Sequence, residues 1–230
     1  DPLWQERGST VWGLEYLFGM VEVDSGAPRF RAFWAHDRHE EKRALVDFVD
    51  HVRERRRRWP DLHVYHYAPY EPAALLRLAA RHGVSEDEVD QLLRDGVFVD
   101  LYSVVRAGIR VSQRSYSIKK LEPLYMEARE GDVQGGAESI VVYHQYTAAR
   151  IEGREDEADR LIGEIAHYNE DDCVSTLKLR DWLLARRAES VGDDWALPVP
   201  DEVSEVEVSA QRRAALELEA AVRALVADVV

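Results

Sequence analysis

With 230 residues, 46% of them hydrophobic and 32% charged, the chain has enough apolar content for a packed core, which excludes a disordered composition. The single cysteine, Cys173, excludes an internal disulfide framework and a cysteine-based zinc site. A net charge of −14 argues against a module that holds nucleic acid by charge alone, but not against an enzyme that meets it locally.

In chain order, Val11–Val23 reads as a strand, Asp24–Pro28 as a turn and Arg29–Trp34 as a second strand, together a hairpin. Asp37–Trp59 has helical spacing at Leu45, Phe48, Val49 and Val52 and stops before Pro60. It ends in a basic run, Arg53–Arg58, of the kind that favours a helix C-terminus. Leu62–Tyr67 reads as a short strand. Glu71–Gly83 reads as a helix with Pro72 in its first turn, and Ser85–Arg94 as another with Ser85 as N-cap. Val97–Leu101 is a strand ending near Asp100, followed by the basic stretch Arg106–Lys120. Helices are expected over Ser117–Glu127, Ala137–Arg150 and Glu155–Arg187. The domain is expected to span 1–190, with an acidic, proline-bearing linker at 191–209. A helix at 210–230 would lead toward a further domain. There is no apolar run of about 18 residues, so no membrane span is expected, and the lone cysteine fits a reducing, cytoplasmic compartment.

The most informative segment is Tyr168-Asn-Glu-Asp-Asp172, inside the last long helical pattern. At 100° per residue from Leu161, the apolar residues share one face, and Asp172 at about 20° and Asn169 at about 80° fall within it. His167 at about 240° and Asp171 at about 280° point away. A carboxylate facing a core is costly unless it is paired, and a cation is one such partner.

Several motifs in order then carry a resemblance. Tyr168-x-x-x-Asp172 resembles the third motif of the DEDD exonucleases, and Tyr65-His-Tyr-Ala-Pro-Tyr-Glu71 resembles the second. Val99-Asp-Leu101, Ser115-Tyr-Ser-Ile-Lys-Lys-Leu121 and Gly13-Leu-Glu-Tyr-Leu-Phe-Gly19 resemble the flanking stretches of the YprB-type ribonuclease-H-like domain of RecB-family nucleases. The resemblance implies an α/β fold, a ribonuclease-H-like mixed sheet flanked by helices. Its first strand, with an Asp-x-Glu motif, would fall just before Asp1. It implies metal-dependent phosphodiester cleavage of nucleic acid, DNA or RNA, as a 3′–5′ exonuclease within a larger RecB-like, helicase-associated protein.

By the same resemblance, Asp172 and Glu71 would hold Mg²⁺ or Mn²⁺ in a two-metal site, with metals roughly 3.5–4 Å apart. Tyr168 would orient the attacking water, and His66, Lys119 and Lys120 would meet substrate. Asp1, Asp100 and Asn169 are further candidates. His66 and Glu71 stand where the family's second motif usually has Asn and Asp. Plainer readings stay open. Glu71 can serve the helix dipole and Asp100 can cap a helix. Lys119 and Lys120 can be a solvated face, and Tyr168 and Asp172 can be a buried hydrogen-bonded pair. The competing function is a non-catalytic nucleic-acid-binding or scaffold domain.

Overall fold

The computed structural model describes residues 1–191 except Leu3, Glu6, Arg7, Ser9, Val11, Ser25, Gly26 and 128–135. The expected linker from residue 192 onward and the expected helix at 210–230 lie outside the described residues. None of the described helices is long and apolar enough to cross a membrane.

The expected hairpin is present. Strands β1 (Leu17–Glu22) and β2 (Arg29–Trp34) pair antiparallel, with Leu17 opposite Trp34 and Glu22 opposite Arg29. Helix α1 (Arg38–Arg58) starts where Asp37 Oδ1 accepts from the Glu40 N–H at 2.8 Å. Its buried Leu45, Phe48, Val49 and Val52 pack against helices α2 (Tyr70–His82) and α3 (Glu86–Arg94). Gly83 ends α2 in the left-handed conformation, φ 59°, a position that suits glycine. Ser85 sits at the N-cap position of α3, but its backbone is left-handed (φ 54°) and its side chain makes no capping bond. The expectation of a serine cap there is corrected: that backbone does not place the hydroxyl over the first turn.

Strand β3 (Val64–His66) pairs parallel with β4 (Phe98–Asp100), and α4 (Leu101–Gly108) follows directly. The helix expected over Ser117–Glu127 is shorter. Helix α5 (Ile118–Leu121) gives way to a 3-10 turn at Glu122–Leu124, where Pro123 has no N–H for an α-helical bond. Helices α6 (Gly136–Ile151) and α7 (Glu155–Val191) complete the set. Leu161, Ile165 and Leu179 of α7 are buried, as their shared face requires, whereas Leu184 is exposed.

The architecture is mixed α/β, but the expected single sheet is instead two separate two-stranded pieces, β1–β2 and β3–β4. A cavity of about 1340 Å³ borders both pieces. Its wall includes every residue from Leu17 to Val23 and every residue from Leu62 to His66. Successive strand residues face opposite sides of a sheet, so an unbroken run in the wall means that the strand edges, not their faces, border the space.

Candidate functional site

The cavity is where the motif residues meet. Tyr168, Asn169, Asp172, Cys173, Thr176 and Arg180 border it from α7, and Glu71 borders it from the first turn of α2. Glu71 and Asp172 therefore lie on the wall of one space although a hundred residues separate them in sequence. The Cys173 thiol senses both. Burial pushes it up to about 12, and the charges of Asp172, Glu71 and Glu170 add to the rise. It is a packed thiol, not a thiolate. His167 is outside this group. Its side chain is 66% exposed and lies 3.9 Å from Asp171.

The turn between β3 and α2 holds Glu71 in place. Ala68 takes a left-handed φ of 69°, uncommon for a residue with a Cβ. Two bonds offset that strain: the Ala68 N–H donates to Asp100 Oδ1 at 2.8 Å, and His66 Nδ1 donates to the Ala68 carbonyl at 2.7 Å. Glu71 Oε2 lies 3.6 Å from the same ring nitrogen. Burial would lower the His66 imidazole, but Glu71, the Ala68 carbonyl and Asp100 outweigh it and raise it above its ordinary value. Asp100 also caps α4, accepting from the Tyr102 N–H at 2.9 Å and from the Ser103 hydroxyl at 2.7 Å. Burial would raise its carboxyl, but these donors and His66 hold it below the usual range. Asp100 is thus committed to the turn and the helix start, and buried His66 acts within the same turn.

Lys119 reaches the site from α5. Its ammonium donates to the Tyr168 hydroxyl at 3.2 Å and lies 5.0 Å from the ring centroid. Lys120 is exposed. Asp1 sits apart from the cavity wall, its buried carboxylate 3.2 Å from His144 Nε2. Asn169 of α7 sits against β1 at Gly19, since a Cβ on Gly19 would overlap Asn169 Oδ1 and lie 2.8 Å from its Cγ. Gly19→Ala is expected to cost about 1–3 kcal/mol as an overpacked contact. Adding Asn169→Ala should recover most of that loss in a double-mutant cycle read by urea unfolding. A Gly19→Ala protein as stable as the parent would show that the helix does not press on the strand here.

Sequence reasoning passed over three residues. Glu15 borders the cavity, accepts from the Tyr70 hydroxyl at 2.8 Å and pairs with Arg77. Its signal is a carboxylate within a mostly apolar strand-like run, Val11–Val23, which also holds Glu22. Arg180 borders the cavity two turns beyond Asp172 and lies over the Tyr65 ring at 5.4 Å. Tyr67 donates to the Tyr116 carbonyl, and burial pushes its phenol up to about 12, with Tyr102 and Asp100 adding to the rise, so it stays a donor. No local pattern announces the last two, because their partners are remote in sequence.

Asp172 and Glu71 are oxygen donors of the type that Mg²⁺ and Mn²⁺ prefer. Their number is not sufficient. Among the described residues, no group of three or more His, Cys, Asp or Glu side chains is placed to hold a metal ion. These residues by themselves do not make the two-metal site, and their own chemistry is to line the cavity with negative charge beside an oriented phenol.

The RNase_H_2 family of the RNase H superfamily matches residues 9–184. No curated protein and no solved structure matches the chain. Nucleases of RNase H type act on nucleic acid and generally use divalent metals. The match takes in both sheet pieces, the turn that carries Glu71, and α7 through Arg180, so the cavity described above lies within it. The chain belongs to the RNase H superfamily.

Proposed function

We propose that this chain is the nuclease domain of a larger protein and cleaves phosphodiester bonds of nucleic acid as a 3′–5′ exonuclease of DEDD type. The observation that carries this reading is the meeting of Tyr168 and Asp172 of α7 with Glu71 of α2 on one cavity wall. In this reading Asp172 and Glu71 are two of the oxygen ligands for Mg²⁺ or Mn²⁺, and the others come from outside the described residues. Tyr168 orients the attacking water, held in place by Lys119. RecB-like and helicase segments of the same parent protein are the proposed neighbours, in the cytoplasm.

The space between the two sheet pieces supports a missing strand as the source of the other ligands. Asp1 and Leu14 exchange both backbone bonds, each N–H donating to the other's carbonyl, which is the pattern of an antiparallel pair. A strand running back from Asp1 on that register would lie along the edge of β1 and enter the cavity. Its residues opposite Leu17 and Gly19 would then come near Asn169 and Asp172. An Asp-x-Glu motif at that point would complete the ligand set.

The absence of a three-donor cluster among the described residues favours a second reading, a non-catalytic nucleic-acid-binding scaffold. One experiment separates the two. The 230-residue chain should bind Mn²⁺ weakly and cleave little. A form longer by about 15 residues ahead of Asp1, enough for a strand and its lead-in, should gain Mn²⁺ affinity and degrade end-labelled oligonucleotides from the 3′ end. Nucleic-acid binding without cleavage in both lengths would establish the scaffold reading instead.

A further inference from the structure

The chain has two basic clusters, and the structure separates their roles. In the first, Arg53 lies 3.4 Å from Glu88, Arg55 lies 2.6 Å from Asp24, Arg57 lies 2.5 Å from Glu54, and Arg56 pairs with Asp95. Arg58 lies over the Trp59 ring at 4.5 Å. Carboxylates of the same fold already answer most of that charge. The second cluster differs. Residues 101–121 hold Arg106, Arg110, Arg114, Lys119 and Lys120 with no Asp or Glu among them, in a chain of net charge −14. Arg110, Arg114 and Lys120 are exposed, and among the described residues no carboxylate pairs with them.

This segment is also tied to the site. Ile109, Val111, Tyr116 and Ile118 pack inward against Leu101, Val105, Leu121 and Leu179. That alternation turns Arg110 outward. The Tyr116 hydroxyl donates to the Ile109 carbonyl at 3.2 Å and closes the loop on itself. Tyr67, four residues before Glu71, donates to the Tyr116 carbonyl. Beyond the loop, Lys119 donates to Tyr168. The loop is therefore held to both motif-bearing segments, β3–α2 and α7.

We propose that the 106–120 loop is the docking surface for the phosphate backbone of a nucleic-acid strand and leads that strand to the cavity, with Arg110, Arg114 and Lys120 as its phosphate contacts. This inference rests on the nuclease reading above and adds the surface by which substrate reaches the site. A chain this acidic repels a polyanion over most of its surface, so a stretch whose positive charge is unanswered among the described residues is a favoured place for a strand to settle.

The test is binding of a fluorescein-labelled single-stranded oligothymidylate by the full chain, followed across a salt series. Arg110→Ser, Arg114→Ser and Lys120→Ser together should weaken binding about tenfold or more at low salt. They should also make the log–log salt slope shallower by about 2, from three contacts at about 0.7 each. Arg53→Ser, Arg56→Ser and Arg57→Ser remove the same charge from the other cluster and should leave the slope unchanged. Arg110→Lys with Arg114→Lys should retain binding, because a phosphate contact needs a point charge, and melting temperatures check that each variant is folded. Equal weakening by both triple variants, or parental binding by the loop variant, would overturn the proposal. If the parent chain binds nothing at low salt while the longer form cleaves, the docking surface is wrong and the nuclease reading stands. Neither binding nor cleavage in either length sinks both.

Discussion

Asp172→Asn is expected to cut Mn²⁺-dependent cleavage in the longer, active form at least a hundredfold, the upper end of what is lost when a group merely supporting a metal ligand is removed. The amide is neutral and a poorer ligand for a hard cation, while its shape is nearly that of the carboxylate. Stability should hold or rise, since Asp172 and Glu71 are like charges bordering one cavity and the exchange removes one of them. Tyr168→Phe should lower turnover with Mn²⁺ affinity nearly intact, because only the hydroxyl that meets Lys119 is lost. His167→Ala should change little, since the imidazole is 66% exposed and absent from the cavity wall. Single-turnover cleavage, Mn²⁺ affinity and melting temperature of the three variants check this together. A dead His167→Ala beside an active Tyr168→Phe would mean that the histidine performs the role given to the tyrosine. Full activity in Asp172→Asn would place the chemistry elsewhere.

What the sequence made legible was local. Leu45, Phe48, Val49 and Val52 recur at helical spacing because one face of α1 must be buried, and all four are. The β1–β2 hairpin follows from a mostly apolar strand-like run and an alternating one, Arg29–Trp34, joined by turn residues. Asp172 was conspicuous as a carboxylate on an apolar stripe, and the structure places it on a cavity wall. What was not legible depends on contacts between distant segments. The split of the sheet is a matter of which strand edges meet, and β1 and β3 carry no mark of it. By sequence alone Asp100 fits either a site or a cap. It serves a cap and also holds the strained Ala68 turn, which no spacing rule exposes because Ala68 and Asp100 are 32 residues apart. Arg180 and Tyr67 carry no local signal for the same reason. The basic clusters differ already in sequence, since residues 101–121 hold no Asp or Glu, but which arginines of the first are met by Asp24, Glu88 and Asp95 depends on contacts between distant segments.

The largest expected loss of stability comes from Glu41→Ala. Glu41 is 0% exposed. Its Oε1 accepts from the Glu15 N–H at 2.7 Å, and its Oε2 accepts from Arg38 at 2.9 Å, from Arg81 at 3.2 Å and from His82 at 2.7 Å. One carboxylate thereby joins the first turn of α1, the last turn of α2 and the segment leading into β1. Alanine would remove a shared acceptor from two guanidiniums and an imidazole, all largely buried. Breaking a buried ion pair from one side costs about 3–5 kcal/mol, which for a domain of this size lowers the melting temperature by roughly 10 °C. Glu41→Gln keeps the shape and should lose less. Burial would raise the Glu41 carboxyl, but the Glu15 N–H, His82 and Arg38 outweigh it and hold it below the usual carboxylate range. A depressed native value means that the contribution is full above the unfolded value of about 4.3 and is lost as pH falls through the lower native one. Glu41→Gln should therefore show a shallower acid limb in a stability–pH profile while differing from the parent most at neutral pH. Melting within about 2 °C of the parent for Glu41→Ala, or an acid limb unchanged in Glu41→Gln, would show that the arginines and the histidine find other acceptors and that this carboxylate does not hold α1, α2 and the edge of the cavity together.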